Sequence, residues 1–124
     1  MWYGAKSENA EETMKLLLNT WERLTLTRIV GSLTGDARLY HKAGKVLDVL
    51  EMSETERNEI GFRQIGDNFH WNDVQKIWEL EIRDQEAKSV IHLALRNYRH
   101  YSARDRGMID ALWTKCEFSL EGAE

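Results

Sequence analysis

Proline is absent from this chain. Average usage is about 5%, so its absence argues against rigid, loop-rich segments and suits a helix-rich protein. Cysteine is nearly absent too, with Cys116 standing alone. A lone cysteine excludes an intramolecular disulfide framework and fits a reducing compartment. No apolar run approaches the ~18 residues of a spanning helix. The N-terminus lacks the basic-then-apolar pattern of a secretory signal. The expectation is a cytoplasmic protein with no membrane association. Motifs of chemistry are missing as well. There is no HExxH and no CxxC, and Gly31-Ser32-Leu33-Thr34-Gly35 lacks the Lys-Ser/Thr of a phosphate loop. His41, His70, His92 and His100 never fall at the i, i+3 or i, i+4 spacing that gathers ligands on a helix. No metal, no cofactor and no catalytic residue is therefore assigned.

What is present describes an ordinary single domain. A length of 124 residues suits one domain spanning 1–124 and allows about two-thirds of the chain's surface to be buried. Residues 1–7 and 119–124 read as frayed tails. The net charge of −4 gives no global attraction to nucleic acid or to anionic membranes.

Periodicity predicts a mainly helical α+β fold. From Glu8 to about Val30 the spacing of Met14, Leu17, Leu18, Trp21 and Leu24 predicts one long amphipathic helix, with Glu8, Glu11 and Glu12 at its dipole-favoured start. Gly31 to Gly35 breaks it. Asp36 caps a second helix with Leu39, Ala43, Val46, Leu47 and Leu50 as its apolar stripe. Ser53 and Glu56 form a capping box for a short third helix that stops at Gly61. Phe62–Ile65 and Phe69–Trp71 flank a Gly66-Asp67-Asn68 turn, as in a hairpin. Trp78, Leu80 and Ile82 alternate with Glu79 and Glu81, as in a strand with one wet face. Asp84 caps a fourth helix over about 85–102, carrying Ala87, Val90, Ile91, Ala94, Leu95, Tyr98 and Tyr101. Ser102 or Asp105 starts a fifth, with Met108, Ile109, Leu112, Trp113 and Cys116 inward. The order is about five helices around a small antiparallel hairpin or three-stranded meander (ααα-ββ(β)-αα), a layout like that of a winged helix.

Several of these residues also carry a family resemblance: Ser53, Glu54, Glu56, Glu59 and Ile60, then Trp71-Asn72, then Glu79-Leu80-Glu81-Ile82, then Leu95 and Leu112. In layout, residues 10–118 resemble a loose group of small bacteriophage and prophage proteins of uncharacterised function. The resemblance implies a phage origin and a host-cytoplasmic setting. It implies no activity and no catalytic residue.

Two surfaces are the candidates for function. Residues 96–106 hold Arg96, Arg99, Arg104 and Arg106 against Asp105, a local charge of +3. With Tyr98 and Tyr101 interleaved, they form a candidate nucleic-acid contact; complementing the end of a helix dipole explains the same arginines without a partner. A winged-helix reading would send the third helix into a DNA groove, yet residues 51–59 carry a charge of −3, which phosphate repels. Trp71, Asn72, Trp78, Tyr98 and Arg99 form the candidate protein interface, since aromatics and arginine are the usual anchors. The expected function is a non-catalytic accessory role through contacts with a protein partner or a second copy, the first helix supplying a dimer seam. A nucleic-acid-binding module is the alternative.

Overall fold

A computed structural model describes residues 13–72, 75–83 and 85–120. The expected frayed residues 1–7 and 121–124, the acidic helix start at Glu8, Glu11 and Glu12, and the Asp84 cap lie outside the described residues. The fold is a mainly helical α+β domain, as the sequence predicts, but its layout differs.

The first described element is a strand, β1 (Met14–Asn19), and not the middle of a helix. The segment Met-Lys-Leu-Leu-Leu-Asn satisfies both periods, because three consecutive leucines serve either a helical or an alternating pattern. Pairing decides between them. β1 runs antiparallel to β4 (Ile77–Ile82), with Met14 opposite Ile82, Leu16 opposite Leu80 and Leu18 opposite Trp78. All six of these side chains are buried. On the other face Lys15 pairs with Glu79 at 3.2 Å. A one-residue slip would send the whole apolar set into water, so this register is strongly specified.

Helix α1 (Thr20–Gly31) then begins directly after the strand. Asn19 is its N-cap: the Glu22 N–H donates to Asn19 Oδ1 at 2.7 Å, and the Asn19 N–H donates back to Glu22 at 2.9 Å. Leu26, Ile29 and Val30 are all inside. The apolar side of α1 is thus spent on the core, and the single long helix expected over 8–30 is, over the described residues, a strand followed by this shorter helix. The turn at 32–36 leads to α2 (Ala37–Leu50), capped by Asp36, which accepts from the Leu39 N–H at 3.0 Å. The predicted capping box opens α3 (Glu54–Glu59): Ser53 N–H to Glu56 at 2.9 Å, and Glu56 N–H to Ser53 Oγ at 3.1 Å. Gly61 follows with φ +64°, the left-handed conformation glycine tolerates.

The hairpin forms, with β2 (Arg63–Ile65) paired to β3 (Asn68–His70), and it stays a separate sheet. β4 does not join it, which corrects the three-stranded meander and the winged-helix layout. β4 needs a partner that alternates in phase with Trp78, Leu80 and Ile82, and β1 provides one, whereas all six hairpin residues are exposed.

Helix α4 (Gln85–Asn97) ends five residues earlier than predicted. Tyr101 folds back so that its hydroxyl donates to the Leu95 carbonyl at 2.6 Å. A helix continued to Ser102 would aim that ring away from Leu95. Ser102 rather than Asp105 opens the next unit, a single 3-10 turn over Ala103–Asp105 that leads into α5 (Arg106–Lys115).

Two cores result. The main one joins the inner face of β1–β4 to α1, α2, α4 and α5. The smaller one packs Met52, Ile60 and Trp78 with Leu24, Phe62 and Trp71, beneath the hairpin arm. None of the described helices is long and apolar enough to cross a membrane.

Candidate functional site

Among the described residues the most heavily bonded side chain is that of Arg23, which sequence reading did not single out. It lies in the first turns of α1 and is only 2% exposed. Its Nε donates to the Leu50 carbonyl at 2.6 Å, and Nη2 donates to the Glu51 carbonyl at 3.2 Å. The guanidinium also forks onto Glu56 at 3.1 and 3.3 Å and lies 4.9 Å from the centre of the Trp78 ring. One cation therefore satisfies the C-terminal carbonyls of α2 and clamps the cap of α3. Burial pushes the Glu56 carboxyl upward, but the Ser53 N–H and the Arg23 guanidinium outweigh it and hold the group below its ordinary value. All three guanidinium nitrogens donate inside the fold, so this cation serves architecture.

Glu22 is buried beside it. Its carboxylate takes the Asn19 N–H and the Lys115 ammonium at 2.7 Å, tying α1 to the last turn of α5. Cys116 follows immediately, fully buried, and burial first, then Glu22 and Glu117, push its thiol up to about 12. His92 does approach this residue, yet its ring nitrogen bonds the Cys116 carbonyl at 2.8 Å. A thiol held protonated offers no nucleophile at neutral pH. Among the described residues no group of three or more His, Cys, Asp and Glu side chains is placed to hold a metal.

The five residues expected to share a protein interface are scattered. Trp78 is 4% exposed, and its Nε1 donates to Thr20 Oγ1 at 2.8 Å. It belongs to the core, which corrects its assignment to a surface. Its place opposite Leu18 on the inner face of the sheet is the reason. Trp71 is half-buried, stacked on Phe62 with centroids 6.4 Å apart; Phe62 in turn stacks on Phe69 at 5.4 Å. Asn72 closes the hairpin arm, its N–H donating to the Ile60 carbonyl at 2.8 Å and its side chain lying where a Gly61 Cβ would be. Tyr98 is half-buried, edge-on to Tyr101 at 5.0 Å and to His100 at 5.6 Å. Arg99 is exposed beside it. Trp71 and the pair Tyr98–Arg99 line different clefts.

Two surfaces do assemble. One is the outer face of the sheet, where Leu17 and Ile77 are 49 and 53% exposed, with Trp21 in the adjoining first turn of α1 46% exposed. Trp21 and Trp71 also line a cleft of about 250 Å³ with Asn19 and Thr20. Sequence periodicity had placed Leu17 and Trp21 on a buried helical face; the strand turns Leu17 outward, and Trp21, in the first turn of α1, is left half exposed. The other is a cleft of about 620 Å³ between the α1–α2 turn and the end of α4. It holds Arg96 and Arg99 but neither Arg104 nor Arg106. All four arginines are exposed, and none forms an ion pair among the described residues. Of the interleaved tyrosines, Tyr98 lines this cleft, whereas Tyr101 packs on Trp113 at 5.6 Å and Trp113 on Phe118 at 4.9 Å, a chain of edge-to-face contacts that closes the main core.

No protein-family model, no curated protein and no solved structure matches this chain.

Proposed function

We propose that this chain is a non-catalytic accessory protein of the phage type that acts through protein–protein contacts, its first partner being a second copy of itself. The observation that carries the reading is the outer face of β1–β4. Leu17 and Ile77 stand half exposed there, with Trp21 beside them at the start of α1, on a sheet of two strands among the described residues. Exposed aliphatic and aromatic side chains beside a free strand edge form a ready-made docking surface.

Charge selects the edge. On β4 the outward residues are Ile77, Glu79 and Glu81. Antiparallel pairing of two β4 strands would set glutamates opposite glutamates, which is destabilising. On β1 the outward residues are Lys15, Leu17 and Asn19. A two-fold axis at Leu17 sets Leu17 against its own copy, Lys15 against Asn19 and Leu16 against Leu18. Moving the axis to Leu16 would set Lys15 against Leu17. Of the two, the Leu17-centred register is the one that sets the outward, exposed leucine against its own copy and not against a lysine. A stable dimer buries about 800 Å² per partner. Three side chains fall short of that, so strand pairing has to bring the Trp21 and Ile77 surroundings in with it.

Sedimentation velocity across the micromolar range tests the reading. The wild type is expected to shift from monomer to dimer with concentration, and Leu17→Glu to remain monomeric. A monomer at every concentration, or a Leu17→Glu protein that associates like the wild type, would refute it.

A further inference from the structure

We infer that the cleft between the α1–α2 turn and the end of α4 binds single-stranded nucleic acid, holding phosphates on Arg96 and Arg99 and stacking a base on Tyr40. The surface lies away from the sheet face and does not depend on the dimer.

The cleft is built for an anion. Thr34 brings a hydroxyl from the turn, where the Ser32 hydroxyl donates to the Ile29 carbonyl; Arg96, Asn97, Arg99 and His100 bring donors from the opposite wall, and among the described residues no carboxylate lines it. Its volume of about 620 Å³ lies within the ordinary range of ligand sites. Arg96 and Arg99 are exposed and unpaired among the described residues. Surface arginines with no carboxylate partner are free to fork onto phosphate oxygens. Two helix ends oppose this, since α1 stops at Gly31 and α4 at Asn97, each contributing roughly half a negative charge. Two guanidiniums exceed that sum, so the cleft stays positive after the helix ends are compensated.

The second half of the site lies across Leu33. That side chain also lines a neighbouring groove of about 400 Å³ with Tyr40, His41, Lys45 and Asp48. Tyr40 is 80% exposed, the most exposed large apolar or aromatic side chain described. An aromatic ring left in water next to a basic cleft is the pairing that holds unstacked bases. Tyr101 cannot fill this role, because its ring packs on Trp113 and its hydroxyl is bonded to the Leu95 carbonyl; Tyr98 lines the cleft but is half-buried, with Tyr101 and His100 edge-on to it. A duplex keeps its bases stacked and offers no free face to Tyr40, so the site favours a single strand. The ligand chemistry, phosphodiester plus exposed base, is common to DNA and RNA.

The test is fluorescence anisotropy with labelled oligo-dT, oligo-rU, a DNA duplex and heparin, at about 50 and about 200 mM salt. With two to four phosphates engaged, a single-strand slope of about −0.7 per contact predicts binding about 7- to 50-fold weaker at the higher salt. Arg96→Glu/Arg99→Glu should weaken binding by at least tenfold, and Arg96→Lys/Arg99→Lys by less. Tyr40→Ala should weaken it at least about fivefold without changing the salt slope. Equal affinity for oligo-dT and oligo-rU, or a preference for one, supports the site and identifies its source. No wild-type binding at the lower salt, or binding untouched by the glutamate pair, overturns the proposal. Duplex or heparin bound as tightly as single strands, with Tyr40→Ala silent, also overturns it and leaves a generic polyanion contact. The replaced side chains are exposed, and circular dichroism of each variant verifies that it folds.

Discussion

Replacing Arg23 by methionine should cost the fold about 3–5 kcal/mol, and the figure can be built from the contacts. Methionine fills much of the arginine volume, so cavity formation is a small part of the loss. The buried Leu50 carbonyl loses its 2.6 Å donor, and an orphaned buried acceptor costs about 1–3 kcal/mol. The Glu51 carbonyl and the Glu56 carboxylate lose donors as well. Glu56 is one-third exposed, so water compensates in part and about 1 kcal/mol is the reasonable share. The cation over the Trp78 ring adds about 0.5–2 kcal/mol when desolvated. Domains have only about 5–15 kcal/mol in total, so the variant should unfold at a markedly lower urea midpoint. Equilibrium urea unfolding, followed by tryptophan fluorescence and far-UV circular dichroism, measures this directly. Arg23→Lys should recover less than half of the loss, since an ammonium cannot reach two carbonyls and a carboxylate as a fork does. A loss below about 1 kcal/mol for Arg23→Met would refute the claim that this cation pins α2 and α3 to α1.

Other consequences are as specific. Gly61→Ala combines a φ of +64° with a collision against the Asn72 side chain, and should destabilise by about 1–3 kcal/mol; Gly66→Ala, with φ +65° but open space, should cost less in the same urea assay. Glu56 titrates below its ordinary 4.5 in the folded state, so it favours folding above the unfolded-state value. That contribution is lost as pH falls from about 4.5 through the lower folded-state value. The acid-induced fall in thermal midpoint should therefore be shallower in Glu56→Gln, and an identical pH profile would count against the assignment. Cys116, buried and pushed up to about 12, should resist thiol reagents at neutral pH in native protein and react promptly in denaturant; fast native labelling would mean that the α5 end opens.

Much of this architecture was legible because the local signals agree with the global fold. The Asp36 cap, the Ser53–Glu56 box, Gly61 and the alternation of Ile77–Ile82 each have one physical reading, and each appears where predicted. β1 was illegible as a strand because Leu16-Leu17-Leu18 serves both periods, and its partner lies about sixty residues away. One signal could have corrected it. Asn19-Thr20-Trp21-Glu22 is a capping box in its own right, and it marks a helix starting at Thr20 in the middle of the long helix that periodicity suggested. The same misassignment hid the exposure of Leu17 on the sheet face and of Trp21 in the first turn of α1. The arginines of the basic cleft were visible as a charge run. Ser32, Thr34 and Tyr40 were not, because only the packing of α1 and α2 against α4 places their turn beside it.

The proposed self-association makes a geometric claim that a single chemical step can read. Antiparallel β1 strands related by a two-fold axis at Leu17 place the two Leu17 Cβ atoms about 4.5–5.5 Å apart, within a small adjustment of disulfide reach. The two Lys15 Cβ atoms in that arrangement lie four residues apart along the strand, beyond about 12 Å. Leu17→Cys and Lys15→Cys proteins would be oxidised under a glutathione buffer and resolved on non-reducing gels, with the native Cys116 buried and silent. The account predicts rapid covalent dimer from Leu17→Cys and little from Lys15→Cys. No dimer from Leu17→Cys, or equal rates from both, would contradict it.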